Sequence, residues 1–252
     1  MLLLRIGRKR GMVQAIHAMG KKKTFLHDPY LVEPEVISEA GDDTNKVYRL
    51  RWTIDGGKER FIEGEVCVAQ GRCGDAAPAS RDDGGVIATT VSYNLTPSEK
   101  CIRDARFTEL GLALFADGDR VDWVGDGPLT SVPGKSMMNV FGNWAMHKDD
   151  YRFAGNRSNV KWAAVGSNGS ASQPLVIESE TGNVSFENVD GRICLTENLA
   201  VAGYGGKASN PGSLKSPGDI DMKGAFTIYA AELAAPPPDV VPDLIYTHHY
   251  GF

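Results

Sequence analysis

Long apolar runs are missing from this chain. A helix that spans a bilayer needs about 20 apolar residues, and no segment of the 252 residues approaches that length. At the amino terminus the apolar stretch ends at Arg5, which leaves no apolar core for a secretory signal. The sequence therefore predicts neither membrane insertion nor secretion.

Cysteine is scarce, and its spacing fits no metal or redox pattern. The chain has four cysteines, at Cys67, Cys73, Cys101 and Cys194. Only the first two are close together, and they lack the C-x-x-C spacing of zinc and thioredoxin-like sites. Four cysteines in a chain of this length do not make a disulfide framework. We interpret them as reduced thiols, with a bridge between Cys67 and Cys73 as the alternative.

Motifs for catalysis and cofactor binding are absent as well. Neither the phosphate-binding loop nor the Gly-x-Ser-x-Gly elbow occurs in the sequence. The stretch containing Asp117, Asp119, Asp122 and Asp126 comes nearest to a cation site, but it lacks the EF-hand positions and the closing Glu. We expect a solvated acidic turn there, with a metal site as the alternative. The sequence predicts no catalytic residue, no cofactor and no structural metal.

Acidic residues are missing from the first 23 positions, although the whole chain carries a net charge of −5. The seven basic residues of this segment are Arg5, Arg8, Lys9, Arg10, Lys21, Lys22 and Lys23. The acidic remainder argues against a nucleic-acid partner. The pattern predicts an arm that anchors the chain on an acidic partner, and a solvated tail is the alternative.

Glycine is plentiful, with 29 residues and no Gly-X-Y period, which indicates many tight turns between short strands. Alternation of apolar and polar residues over 47–54 predicts a half-buried strand, which turns at 55–57 and returns over 60–68. Residues 98–115 have rough helical spacing, although a strand competes for 110–115. Further strands are predicted at 86–95, 160–165, 174–178, 184–186, 191–195, 199–201 and 225–231.

These patterns predict a mainly β fold of short antiparallel strands with Gly/Asn turns, sandwich-like or fibre-like, with extended arms at both ends. Four segments follow from the changes in composition: a basic arm and anchoring segment (1–45), a β-rich domain with one possible helix (46–155), a region of regular short strands (156–233) and a Pro-rich extended tail (234–252). The apolar strands of the core begin after Val47 in this interpretation. Deletion of residues 1–23 is therefore expected to leave a folded protein.

Four aromatic residues within about forty positions are candidates for contact with a glycan or a partner. They are Trp123, Trp144, Tyr151 and Trp162. An aromatic ring packs on the apolar face of a sugar while its polar tip forms hydrogen bonds. Packing in the core is the alternative explanation.

The segment from Asn159 to about Tyr204 carries a resemblance to a known group of proteins. It contains an aromatic strand (N-V-K-W-A-A-V), a Gly/Asn turn (G-S-N-G), a strand that begins P-L-V-I, and T-G-N-V. This succession resembles segments of bacteriophage tail fibres and tail appendage proteins.

The resemblance implies a homotrimeric virion protein, either a short tail fibre or an appendage subunit, that contributes to host attachment. It also implies that residues 156–233 form a β fibre- or shaft-like region. Its partners would be further copies of itself, other tail or capsid proteins reached through the basic arm, and a host glycan or protein. Two other classes stay open: a glycan-depolymerising tailspike enzyme, and a capsid-decoration or baseplate cement protein.

Overall fold

The computed structural model describes residues 2–17, 20–54, 58–70, 87–105, 107, 109–131, 139–166, 175–201 and 216–230, and in residues 6–30 it describes the backbone alone. One helix, α1 (Glu99–Asp104), lies in this part of the chain together with a short 3₁₀ turn. The side chain of Ser98 caps α1 by accepting a hydrogen bond of 3.2 Å from the backbone N–H of Cys101. No helix of the described residues is long and apolar enough to cross a bilayer.

Strands make up most of the described chain. They are β1 (Leu3–His17), β2 (Gly20–Val32), β3 (Glu35–Gly41), β4 (Asn45–Thr53), β5 (Phe61–Gln70), β6 (Ile87–Pro97), β7 (Glu109–Ala116), β8 (Arg120–Gly127), β9 (Val140–His147), β10 (Gly155–Arg157), β11 (Trp162–Gly166), β12 (Leu175–Ser179), β13 (Val184–Val189), β14 (Arg192–Val201) and β15 (Lys223–Ala230).

Two antiparallel sheets contain all of these strands. One has six strands in the order β10-β13-β14-β7-β1-β2, and the other has nine in the order β3-β4-β5-β6-β15-β12-β11-β8-β9. Side chains from both sheets fill a shared core, in which the ring of Trp123 meets Phe186 edge to face at 5.3 Å. The fold is an all-β sandwich, which confirms the mainly β prediction.

Most strands predicted from alternation are confirmed. The strand over 47–54 is β4, and its returning partner is β5, which pairs with it antiparallel from Thr53↔Phe61 to Asn45↔Ala69. Gly182, between β12 and β13, has a φ of 67°, a left-handed conformation that costs glycine little. The turn residues 55–57 lie outside the described residues.

The helix predicted over 98–115 is mostly wrong. It ends at Asp104, and the competing strand is the correct choice for the second half, where residues 109–116 form β7. In β7 almost every residue is buried, because its two faces pack on separate apolar clusters. A strand buried on both faces loses the alternation that would have identified it.

The predicted division into segments does not match the sheets. Strand β7 lies between β1, from the predicted arm, and β14, from the predicted shaft region. The prediction that the core begins after Val47 is wrong as well, because Leu4 is fully buried and Leu3 is 5% exposed. The predicted tail at 234–252 lies outside the described residues.

The cysteines of the described chain are free thiols at Cys67, Cys101 and Cys194. Cys73 lies outside the described residues. The predicted reduced state is therefore what the structure shows for these three residues.

Replacing Leu4 with alanine tests whether the first strand belongs to the core. We expect Leu4→Ala to lower the free energy of unfolding by about 3 kcal/mol, since it removes a fully buried side chain and leaves a cavity. Val36→Ala is the control, because Val36 is 56% exposed and its loss should change stability by less than about 0.5 kcal/mol. Denaturant unfolding of both variants measures this. If Leu4→Ala and Val36→Ala had equal effects on stability, the first strand would lie outside the core. Correct folding after deletion of residues 1–23 would lead to the same conclusion.

Candidate functional site

The first hairpin extends past the sheet to which it belongs. Strand β1 pairs with β7 only from Leu3 to Gly7, whereas its pairing with β2 continues to His17↔Gly20. Residues 8–17 and 20–28 therefore form a two-stranded extension, which we call the basic ribbon. Among the described strands, no third strand pairs with it.

The basic ribbon carries six Lys/Arg and a single acidic residue, Asp28. The register places residues 8–10 opposite 26–28, close to the sheet, and the lysines at 21–23 opposite 14–16, near the tip. An isolated two-stranded ribbon is marginally stable. A partner that packs against the ribbon would stabilise it.

Arg5, the remaining basic residue of the arm, is placed differently. It is 4% exposed, its Nε lies 3.3 Å from Glu109 Oε1, and its Nη1 donates to Glu187. Burial by itself would lower the pKa of Arg5, but attraction to Glu109 and Glu187 outweighs burial and raises the pKa. Arg5 therefore stays charged inside the fold, and the prediction that it contacts a partner is wrong.

The ion pair of Arg5 is the first contact in a row of buried polar side chains, which we call the polar row. Ser185 donates to Glu109 Oε1 at 2.6 Å, and Asn198 Nδ2 donates to Ser185 Oγ at 2.7 Å and to Asn156 Oδ1 at 2.9 Å. Asn156 Nδ2 in turn donates to the carbonyl of Ser131 at 2.7 Å. The row thus connects β1, β7, β13, β14 and β10, which are five of the six strands of this sheet.

This polar row lies on the face of the six-stranded sheet that points away from the shared core. Residues opposite each other in antiparallel strands share a face, and both Arg5 and Asn198 are opposite Gly111, whereas Leu4 is opposite the core residue Leu112. A Cβ on Gly111 would lie 2.9 Å from Asn198 Oδ1 and 2.3 Å from the carbonyl of Glu197. Glycine at position 111 therefore leaves the space that Asn198 occupies.

Glu197 is a second buried carboxylate, on the core face of the same sheet. It is 1% exposed, and its Oε1 accepts hydrogen bonds from Ser179 Oγ at 3.1 Å and from the backbone N–H of Thr181 at 3.2 Å. Burial raises the pKa of Glu197 to about 7, although these hydrogen bonds oppose the shift. Glu197 thus ties the turn between β12 and β13 to β14.

Arg157 is fully buried and is held by rings and carbonyl groups. Its guanidinium lies 5.3 Å from the ring of Trp123 and 5.6 Å from that of Phe186, and Nη2 donates to the carbonyl of Arg152 at 2.9 Å. Burial, followed by repulsion from Arg152, lowers its pKa to about 10. The arrangement fixes the loop before β10 and leaves Arg157 no contact with solvent.

The four predicted aromatic contact residues do not form one platform. Trp123 is fully buried and Trp162 is 8% exposed, so for these two the alternative of core packing is correct. Trp144 is half-buried and donates through Nε1 to the carbonyl of Gly125 at 3.2 Å. Tyr151 is 93% exposed, and contact with a glycan or a partner stays a prediction for it and for Trp144.

The acidic stretch predicted as a turn has separate partners for its carboxylates. Asp117 accepts from Arg192 at 2.8 Å, Asp122 pairs with Arg120, and Asp126 accepts from Asn159 at 2.8 Å. Within the described ranges, no group of three or more His, Cys, Asp or Glu residues is arranged to hold a metal ion.

No known family model matches the chain, and no curated protein matches it either. The resemblance to tail fibres stays a prediction.

The polar row, Glu197 and Arg157 were not predicted from the sequence. A weak signal was present, because Glu109 stands directly before the apolar run of β7 and Glu197 lies inside the apolar strand β14. A charged residue within an apolar strand requires a buried partner. The identity of that partner depends on the register of strands distant in sequence.

Removing the charge of Arg5 should destabilise the whole sandwich. We expect Arg5→Met to lower the free energy of unfolding by about 3–5 kcal/mol, since it removes a buried cation that pairs with both Glu109 and Glu187. The double variant Arg5→Met/Glu109→Gln should recover part of this loss. The control is Lys46→Ala, which breaks an exposed pair with Glu39 and should cost less than about 1 kcal/mol. A similar cost for Arg5→Met and Lys46→Ala in denaturant unfolding would contradict a structural role for the buried pair.

Glu197 should make stability depend on pH. Its pKa is about 7 in the fold against an ordinary value of 4.5, so the folded state holds a proton that the unfolded chain has already released. The resulting stabilisation is fully present below pH 4.5 and is lost as the pH rises through 7. Glu197→Gln should remove a fall on the order of 2 kcal/mol between pH 5 and 8. Glu65→Gln, at an exposed position of β5, is the control and should keep the wild-type profile; an unchanged profile in Glu197→Gln would contradict the assignment.

Proposed function

We propose that this chain is a non-catalytic attachment subunit whose sandwich holds the basic ribbon against an acidic protein surface. The observation that carries this proposal is the extension of β1 and β2 beyond β7, with six Lys/Arg along it. The setting that the sequence resemblance favours is a bacteriophage virion, with the chain as a short tail fibre or appendage subunit.

The root of the ribbon supports an attachment role. Leu3 and Leu4 are buried where β1 enters the sheet, and Arg5 is tied to Glu109 and Glu187. A force applied to the ribbon therefore acts on the sandwich through buried contacts of β1. A solvated tail would have no such connection.

The nature of the partner follows from charge. Cationic residues spread along a narrow ribbon complement an extended acidic surface, and such pairing speeds association and selects the partner. The ribbon contrasts with the rest of the chain, which is acidic. Other virion proteins with acidic surfaces are the partners that we propose.

The proposed homotrimer has a separate basis. Short strands joined by glycine turns could make a poor core within one chain, but the core cluster of this single chain contains residues of both sheets. Burial of apolar surface therefore does not require three chains. The trimer rests on the resemblance to tail fibres.

Excision of the ribbon tests the proposal without disturbing the core. Gly7 lies directly opposite Pro29, so residues 8–28 can be replaced by Asn-Gly, a two-residue hairpin turn. We expect this variant to keep the unfolding midpoint of the wild type and to be missing from virions, as measured by antibody labelling in electron micrographs.

Charge variants of full length provide the matched control. Changing the lysines at 21–23 to arginine should preserve labelling of particles, whereas changing them to glutamine should reduce it. Normal labelling of particles that contain the excised variant would show that attachment lies elsewhere. Absence of the wild-type chain from particles would contradict the virion setting.

A further inference from the structure

Each sheet ends in a strand that has one unpaired edge among the described strands. Strand β2 is the last strand of the six-stranded sheet, and β3 is the first of the nine-stranded sheet. All seven residues of β3 are exposed, so this strand is accessible on both faces. An open edge presents a row of N–H and C=O groups to which another strand can add.

The two edges carry opposite charges. Strand β2 contains the lysines at 21–23, whereas residues 33–43 hold five acidic residues and no Lys/Arg. Two of the five have partners within the chain, since Glu39 accepts from Lys46 at 2.8 Å and Asp42 accepts from the backbone N–H of Thr44 at 2.8 Å. The others are Glu33, Glu35 and Asp43, all exposed.

Exposed apolar side chains accompany the acidic edge. On β3, Val36 is 56% exposed and Ile37 is 43% exposed, and Val47 on the adjacent β4 is 36% exposed. Natural edge strands are commonly protected by charges that point inward, by proline or by a covering element. Here the acidic residues discourage pairing of β3 with another β3, while leaving a basic strand as an acceptable partner.

We propose that the β2 edge of one copy of this chain adds to the β3 edge of a second copy, so that the two sheets continue across the contact. The inference rests on the proposed function, because the ribbon is again the element that attaches, and it names a second copy as one acidic partner. In the structure the two edges belong to different sheets, so a chain does not pair its own β2 with its own β3.

Such a contact joins two different surfaces, head to tail. A contact of this kind closes into a ring if its rotation allows and otherwise continues as an open filament. A ring of three would account for the homotrimer that the resemblance implies.

The test is sedimentation of purified chain at low and high salt. We expect the wild type to form oligomers at low salt that dissociate in about 0.5 M salt, since exposed charge pairs are screened. Reversing the ribbon charges (lysines 21–23 to Glu) or the acidic edge (Glu33→Lys, Glu35→Lys and Asp43→Lys) should each weaken association about tenfold. Mixing the two reversed variants should restore it. The control Lys58→Glu/Lys161→Glu/Lys223→Glu makes the same charge change as the ribbon reversal, at exposed sites outside β2 and β3.

Hydrogen exchange provides a readout of the backbone contact itself. Association should slow amide exchange in residues 20–32 and 35–41, because added strands form hydrogen bonds along both edges. Monomers at every salt concentration would overturn the inference, and so would association that survives both charge reversals or that leaves these two segments unprotected.

The outcomes separate this inference from the proposed function. A chain that stays monomeric but needs its ribbon to enter virions would retain the attachment function and exclude the second copy as partner. A chain that associates through both edges but enters virions without its ribbon would retain the second copy as partner and contradict the proposed attachment function.

Discussion

The ion pair between Arg5 and Glu109 is the interaction on which the placement of the basic ribbon depends. Both residues are almost completely buried, and an unpaired charge at such a site costs several kcal/mol. The pair therefore favours the register in which β1 lies beside β7 and Arg5 lies next to Glu109. The first strand is thereby fixed in the sheet, and the cationic residues that follow Gly7 are carried beyond the end of β7.

The same buried row specifies the pairing of the whole six-stranded sheet. Moving one strand by a single residue would turn its polar side chains toward the apolar core. The row tolerates little change, since Asn198 lies against Gly111 of β7 and donates to side chains on two other strands. A shift by two residues would return apolar side chains to the core face but would separate the members of the polar row. The polar row therefore adds to the specificity of this register.

Sequence patterns predicted the strands with one exposed face and failed where alternation is lost. Strand β4 shows alternating burial and was predicted, while β7 is buried on both faces and was taken partly for a helix. The Asp190–Gly191 turn between β13 and β14 has positive φ at both residues, as a tight hairpin requires, yet the prediction began the strand at 191 without a turn before it. The polar row escaped prediction for another reason, since residues as distant as Arg5 and Glu187 meet only after strands pair.

The positive charge of the amino-terminal segment was evident from the sequence, but the different roles of its basic residues were not. Seven basic residues without an acidic neighbour looked like one uniform arm, whereas the fold assigns Arg5 to the interior and the other six to the ribbon. The cause is the short apolar stretch directly before Arg5. This stretch is too short to be predicted as a strand, but it is long enough to pair with β7. Because that stretch fixes Arg5 inside the fold, the other basic residues follow at the point where the pairing of β1 with β7 ends. A segment that is half core and half extension carries its basic residues beyond the sheet without losing its connection to the sandwich.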